Sequence, residues 1–140
     1  ATEKLEIGGA DFDRFEAMLA EIQQAYSHGD RVALARLVTP EMGNELNREL
    51  DDLARRGLVN KLSGVKLLQG DLSEAWREPG AEYATVAMRY AIIDAMVEKA
   101  SGRVVEGDPA NAVEATEIWT FRREPGEGPQ GWALSAIQQV

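Results

Sequence analysis

The apolar periodicity of this chain changes once, and that change constrains its fold more than any other feature. Up to Leu53 the large apolar residues recur at three- and four-residue intervals. From Leu62 onward they fall in extended runs separated by Gly- and Pro-containing turns. The first spacing places side chains along one face of a helix; alternation places them on one face of a strand. Helices followed by strands, with no return to helix, indicate an α+β domain whose helices pack on an antiparallel sheet. A chain of 140 residues is expected to form a single domain.

Phe12, Phe15, Leu19, Ile22 and Tyr26 define the first helix. Asp11 suits its cap, and Gly29 can end it by taking positive φ. Residues 1–10 read as a polar lead-in or linker, and 11–140 as the domain. Asp30 opens a short second helix bearing Val32, Leu34, Leu37 and Val38. Thr39 suits an N-cap, Pro40 the first helical position and Glu41 the positive helix end. The third helix is striped by Met42, Leu46, Leu50 and Leu53 and stopped by Gly57.

About four strands are expected beyond this point, at 65–76, 83–97, 112–123 and 132–139. Ala84, Val86, Met88, Tyr90 and Ile92 alternate along the longest run. Gly70 suggests a bulge, and a strand bent there over three helices implies a strongly curved sheet. Residues 98–111 read as a polar connection.

Composition excludes several functions. Fifteen basic against 24 acidic residues leave a net charge of −9, which repels nucleic acid and anionic bilayers at long range. There is no cysteine, hence no disulfide, thiol nucleophile or cysteine metal site. With a single histidine, His28, no zinc site is expected, and no cofactor motif is present. His28 sits in "SHGD" at a helix end and reads as a surface cap. No run of 18 apolar residues is present.

The carboxylates on strands are Asp71, Glu74, Asp94 and Glu117. The first three read as strand-edge or solvated charges. Glu117 shares a face with Ala115, Trp119 and Phe121. An ion on an apolar face costs several kcal/mol unless it is paired, so a structural ion pair is expected. Arg89 is its candidate partner, because Arg122 lies on the opposite strand face. Should the sheet enclose a ligand pocket, its candidate lining is Tyr26, Tyr83, Met88, Tyr90, Glu117, Trp119 and Phe121. No catalytic residue is assigned.

Several stretches together resemble the Tim44-like domain family: "YSHGDRVALARLVTPEM", "RRGLVNKLSGVKLLQGDLSEAWRE", "YATVAMRY", "GRVVEGD", "ATEIWTFRR" and "GWALSAIQQ". The resemblance runs from about Asp11 to Gln139. It implies a cone similar to the nuclear transport factor two-like fold, with helices on a curved sheet around a pocket. It also implies a non-enzymatic, membrane-associated domain that acts as a tether or binding module for a partner protein or an apolar or lipid ligand, such as an acyl chain. Bacterial members often carry an apolar membrane segment. If this protein has one, it lies upstream of Ala1; the resemblance implies a full-length protein peripheral to or anchored at the inner (cytoplasmic) membrane, with this fragment soluble. The basic residues Arg31, Arg36, Arg48, Arg55, Arg56 and Lys61 are interrupted by acids, which argues against headgroup binding. The alternative function is a small-molecule lyase or isomerase that uses a carboxylate in the cone pocket. A homo-oligomer formed through "YATVAMRY" is a third reading.

Overall fold

A computed structural model describes residues 2–140. In chain order the elements are β1 (Glu3–Lys4), α1 (Gly9–Ser27), α2 (Arg31–Leu37), α3 (Pro40–Arg55), β2 (Leu58–Glu78), β3 (Ala81–Glu98), β4 (Val104–Gly107), β5 (Val113–Arg123), a 3-10 turn (Pro129–Gly131) and β6 (Ala133–Gln139). The switch from helix to strand falls at Gly57, whose φ of 67° closes α3. The protein is therefore α+β, with three helices on a curved antiparallel sheet. The sheet has six strands rather than about four, in the order β1-β2-β3-β5-β6, with β4 pairing to β3.

The two added strands come from segments read as irregular. Glu3 and Lys4 pair with Arg77 and Trp76 of β2, and Leu5 then joins the core. Ala1 of the expected lead-in lies outside the described residues. β4 forms inside the polar connection and pairs with the end of β3 through Ala95↔Gly107 and Met96↔Glu106. Gly107 has a φ of 83°, and a Cβ there would collide with the Asp94 carbonyl, so this pairing demands glycine.

Curvature arises along β2, but not at Gly70, which pairs in register with Met88. The register shifts fall between Ser63 and Lys66, Leu67 and Gln69, and Leu72 and Glu74. Gly64, inside the first, has a φ of 62°. Three extra residues on one strand against β3 bend and twist the pair, and the sheet curls around the helices.

The helix caps follow the sequence with one correction. Asp30 accepts from the Ala33 N–H at 3.0 Å and Thr39 from the Met42 N–H at 3.4 Å. Gly8, not Asp11, is the N-cap of α1. Asp11 sits one turn in and reaches back to the Gly8 N–H at 3.0 Å, which is the reciprocal half of a capping box.

Between helices and sheet lies one aromatic-rich core. Phe15 stacks on Phe121 with centroids 4.3 Å apart and meets Trp132 edge-on at 5.2 Å. Ala84, Val86, Met88, Tyr90 and Ile92 are all buried on the inner face of β3. At one end of this core a buried ionic cluster ties four elements together. Arg123 donates to Glu82 at 2.8 Å and to Asp11 at 3.1 Å, while its guanidinium lies 4.2 Å from the Trp132 ring centre. Trp132 Nε1 also donates to Asp11, at 2.9 Å, and Arg77 donates to the second Glu82 oxygen at 2.8 Å.

A carboxylate-lined cavity in the mouth of the cone

At the other end of the core the helices diverge from the sheet and leave a cavity of about 460 Å³. Its walls are built by period. In α1, Ile22 and Tyr26 are one turn apart, with Gln23 beside them. In α3 the pairs Met42/Leu46 and Glu45/Glu49 each repeat at four residues. The sheet contributes Asn60 and Leu62 of β2, Tyr90, Ile92 and Asp94 of β3, Val113, Ala115, Glu117 and Trp119 of β5, and Ile137 and Gln139 of β6. Ile22, Leu46, Ile92, Ile137 and Trp119 supply apolar wall, while Glu45, Glu49, Asp94 and Glu117 add carboxylates.

Glu117 is held by neutral donors. The Tyr90 hydroxyl donates to Oε1 at 2.7 Å, Trp119 Nε1 to the same oxygen at 3.0 Å, and Gln139 Nε2 to Oε2 at 2.8 Å. Gln23 Nε2 in turn donates to the Tyr90 hydroxyl at 3.3 Å. The expected Glu117–Arg89 ion pair does not form. Arg89 lies between Met88 and Tyr90 in sequence and so projects from the outer face, where it pairs with Glu114 at 2.8 Å. A carboxylate can accept from neutral groups as well as from a cation, and three such bonds meet the burial cost in place of the pair.

Protonation states follow from this packing. Burial first, and the hydrogen bond from Tyr90 to Glu117 second, raise the Tyr90 phenol far above its ordinary range. Tyr26 is raised in the same way by burial and by Glu49, to which its hydroxyl donates at 3.0 Å. Both phenols are donors throughout the physiological range. Asp94, on the rim, is raised by burial and then by the nearby Glu106.

Of the seven residues expected to line a pocket, Tyr26, Tyr90, Glu117 and Trp119 come together on this cavity. Met88 and Phe121 share the inner sheet face but are packed into the core, at 1 % and 0 % exposure. Tyr83 is on the outer face, where its ring stacks on Trp76 at 5.0 Å. Gln139 and Gln23 were not anticipated. Alternation from Ile137 puts Gln139 inward, and helical spacing puts Gln23 on the Tyr26 face, so both carried a usable signal. Glu49 carried none, because a glutamate on a helix is ordinarily solvated.

Three of the basic residues of α2 and α3 and of the turn after it are engaged by acids, while Arg36 and Arg48 are exposed. Arg31 pairs with Asp51 at 2.7 Å, and Arg55 and Arg56 both pair with Asp52, at 2.7 and 3.3 Å. Among the described residues, no group of carboxylates and histidine is arranged to hold a metal. None of the described helices is long and apolar enough to cross a membrane.

Comparison with known proteins places this architecture. The intermembrane space region of the chloroplast protein ARC6 aligns with a TM-score of 0.53 at 13 % identity, covering 96 % of this chain and 100 % of that one. A periplasmic fragment of TraM aligns with a TM-score of 0.57 at 13 % identity, covering 97 % and 100 %. At that identity the likeness is one of fold. No characterised protein sequence matches. The family model described as the Tim44-like domain matches residues 8–139, nearly the whole chain, including both the helices and the sheet that enclose the cavity. This chain belongs to the Tim44-like domain family.

Proposed function

We propose that this domain is a non-catalytic binding module of a membrane-associated protein, and that its partner seats an apolar group in the mouth of the cone. The observation that carries this reading is the cavity. Its volume falls within the range of about 300–1,000 Å³ usual for ligand sites. Its wall is about equally apolar and polar, and Val113 on that wall is 51 % exposed, an apolar group offered at the entrance. The hydroxyl and indole donors that line it are engaged. Tyr26, Tyr90 and Trp119 each donate to a carboxylate, an arrangement that fixes shape rather than moves protons. Family membership supports the same reading, with a tether or recruiting role for the whole protein.

The lyase or isomerase alternative rests on one observation, the Tyr90–Glu117 contact inside the cavity. Three donors on Glu117 leave little acceptor capacity for a substrate proton, and burial and Glu117 raise the Tyr90 phenol. The geometry therefore favours binding over chemistry.

Octanol titration followed through isoleucine methyl resonances tests the proposal. Saturable shifts are expected at Ile22, Ile92 and Ile137, which line the cavity, and not at Ile93 or Ile118, which do not. Absence of saturable shifts at the first three contradicts it.

A further inference from the structure

The polar complement of the cavity is one-sided. Glu45, Glu49, Asp94 and Glu117 contribute carboxylates, and no lysine, arginine or histidine lines it among the described residues. Some carboxylates elsewhere in this protein are neutralised: Glu82 by Arg77 and Arg123, Glu98 by Arg103, Glu114 by Arg89. None of the four on the cavity has such a partner among the described residues. Glu49 and Glu117 receive only neutral donors, and no ion pair reaches Glu45 or Asp94 among the described residues.

A complementary guest must therefore donate hydrogen bonds, carry positive charge and present an apolar stem. A fatty acid or an anionic headgroup fails on all but the last, because it would bring a carboxylate or phosphate among unpaired carboxylates. Lysine and arginine side chains meet all three requirements, since their alkyl stems pack on apolar walls while the charged head stays at the polar end.

The terminal strand points to the source of such a side chain. β6 closes the sheet, and its Ile137 and Gln139 line the cavity. On its outer side it is bridged only at Leu134, by Val38, among the described residues. Its residues Ala133–Gln139 carry no charge. An uncharged edge of this kind accepts an extended polypeptide through main-chain hydrogen bonds.

We infer that the cavity takes a lysine or arginine side chain of a partner polypeptide that lies along the outer edge of β6, with an apolar neighbour against Val113. This rests on the reading of the cavity as a binding site, and the experiment separates the two. The probes are octylammonium, octanoate, octanol, and an acetylated, amidated Leu-Ala-Lys-Ala-Leu peptide with its counterpart carrying Glu for Lys. Binding is read at the methyls of Ile22, Ile92 and Ile137. Octylammonium and the Lys peptide are expected to bind at least about tenfold more tightly than octanoate and the Glu peptide. That preference should shrink as salt is raised. The Glu45→Gln/Asp94→Asn variant should erase most of it. Glu45 is exposed and Asp94 lies partly screened on the rim, and neither makes an ion pair among the described residues, so the fold is expected to persist.

Octanoate binding as tightly as octylammonium overturns the inference, as does octanol binding equally well. A preference unchanged in the double variant overturns the assignment to these carboxylates. Octylammonium binding without the Lys peptide overturns the polypeptide source. If no probe, octanol included, shifts the cavity methyls, the binding-site reading itself fails.

Discussion

The Tyr90 hydroxyl reaches Glu117 across 2.7 Å, diagonally over the β3–β5 ladder in which Glu117 itself stands opposite Met88. This contact lets a carboxylate sit on the inner face of the sheet without a cation. It also couples α1 to the sheet, because Gln23 donates to the same hydroxyl. Hydrogen bonds to charged groups contribute about 1.5–3 kcal/mol. Tyr90→Phe is expected to lower unfolding free energy by about that amount in urea titrations. A double-mutant cycle with Glu117→Gln should show a coupling energy of at least about 0.5 kcal/mol. Additive effects would mean that the contact is not an energetic unit.

Arg123 is expected to matter more. It is 10 % exposed and bridges Asp11 and Glu82, which are 11 % and 5 % exposed. Arg123→Met would leave Asp11 with only the Gly8 and Trp132 N–H donors and Glu82 with Arg77 alone, and loss of one member of a buried ionic cluster costs about 3–5 kcal/mol. Arg77, 44 % exposed on the far side of Glu82, should cost much less when changed to Met. Equal losses from the two variants, measured by chemical denaturation, would contradict the bridging role.

The same cluster sets a pH dependence. Burial raises the Glu82 carboxyl, but hydrogen bonds from Arg123 and Arg77 outweigh it and hold the group below its ordinary value. A folded-state value below the unfolded one gives stability that is present above the ordinary carboxylate range and is lost as pH falls through the folded value. Asp94 has the opposite sign. Raised by burial and Glu106, it favours the folded state only when protonated, and that contribution disappears as pH rises through its folded value. Glu82→Gln should flatten the acid limb of a melting-temperature profile. Asp94→Asn should raise the melting temperature at neutral pH. A cavity that keeps a carboxylate at the expense of stability is consistent with a binding role for that carboxylate.

Much of this arrangement was legible from spacing alone. The three helical stripes and the inner face of β3 follow from periods that burial enforces, and the caps at Asp30 and Thr39 from side chains that can satisfy orphan N–H groups. Cross-strand register has no such local signature. Arg89 looked a suitable partner for Glu117 by chemistry, yet it alternates with Met88 and Tyr90 and so faces the other way. The same parity excludes Tyr83, which is in step with Arg89 rather than with Ala84 and Val86. β4 escaped notice because all four of its residues are exposed and offer no alternation. Its pairing partner lies on β3, and nothing local in the sequence announces it.

Anionic membranes are not expected to hold this domain. The net charge is −9, and Arg31, Arg55 and Arg56 are engaged by Asp51 and Asp52. Each unpaired basic residue near such a surface adds only about 1 kcal/mol. In flotation with mixed phosphatidylglycerol and phosphatidylcholine vesicles at physiological salt, the domain should stay in the unbound fraction. Salt-sensitive flotation would show that headgroups bind it after all.

Whether a polypeptide seats itself in the cone can be read by photo-crosslinking in cells that make the protein. A benzophenone side chain replacing Val113, on the cavity wall, is expected to form an adduct with a polypeptide whose captured stretch carries Lys or Arg beside apolar residues. Val32, 65 % exposed and away from the cavity, should give none. Ala115→Trp, which fills the cavity, should abolish the Val113 adduct while the protein keeps its melting transition. An adduct that survives Ala115→Trp, or the absence of any adduct from Val113, would contradict a binding role for the cavity.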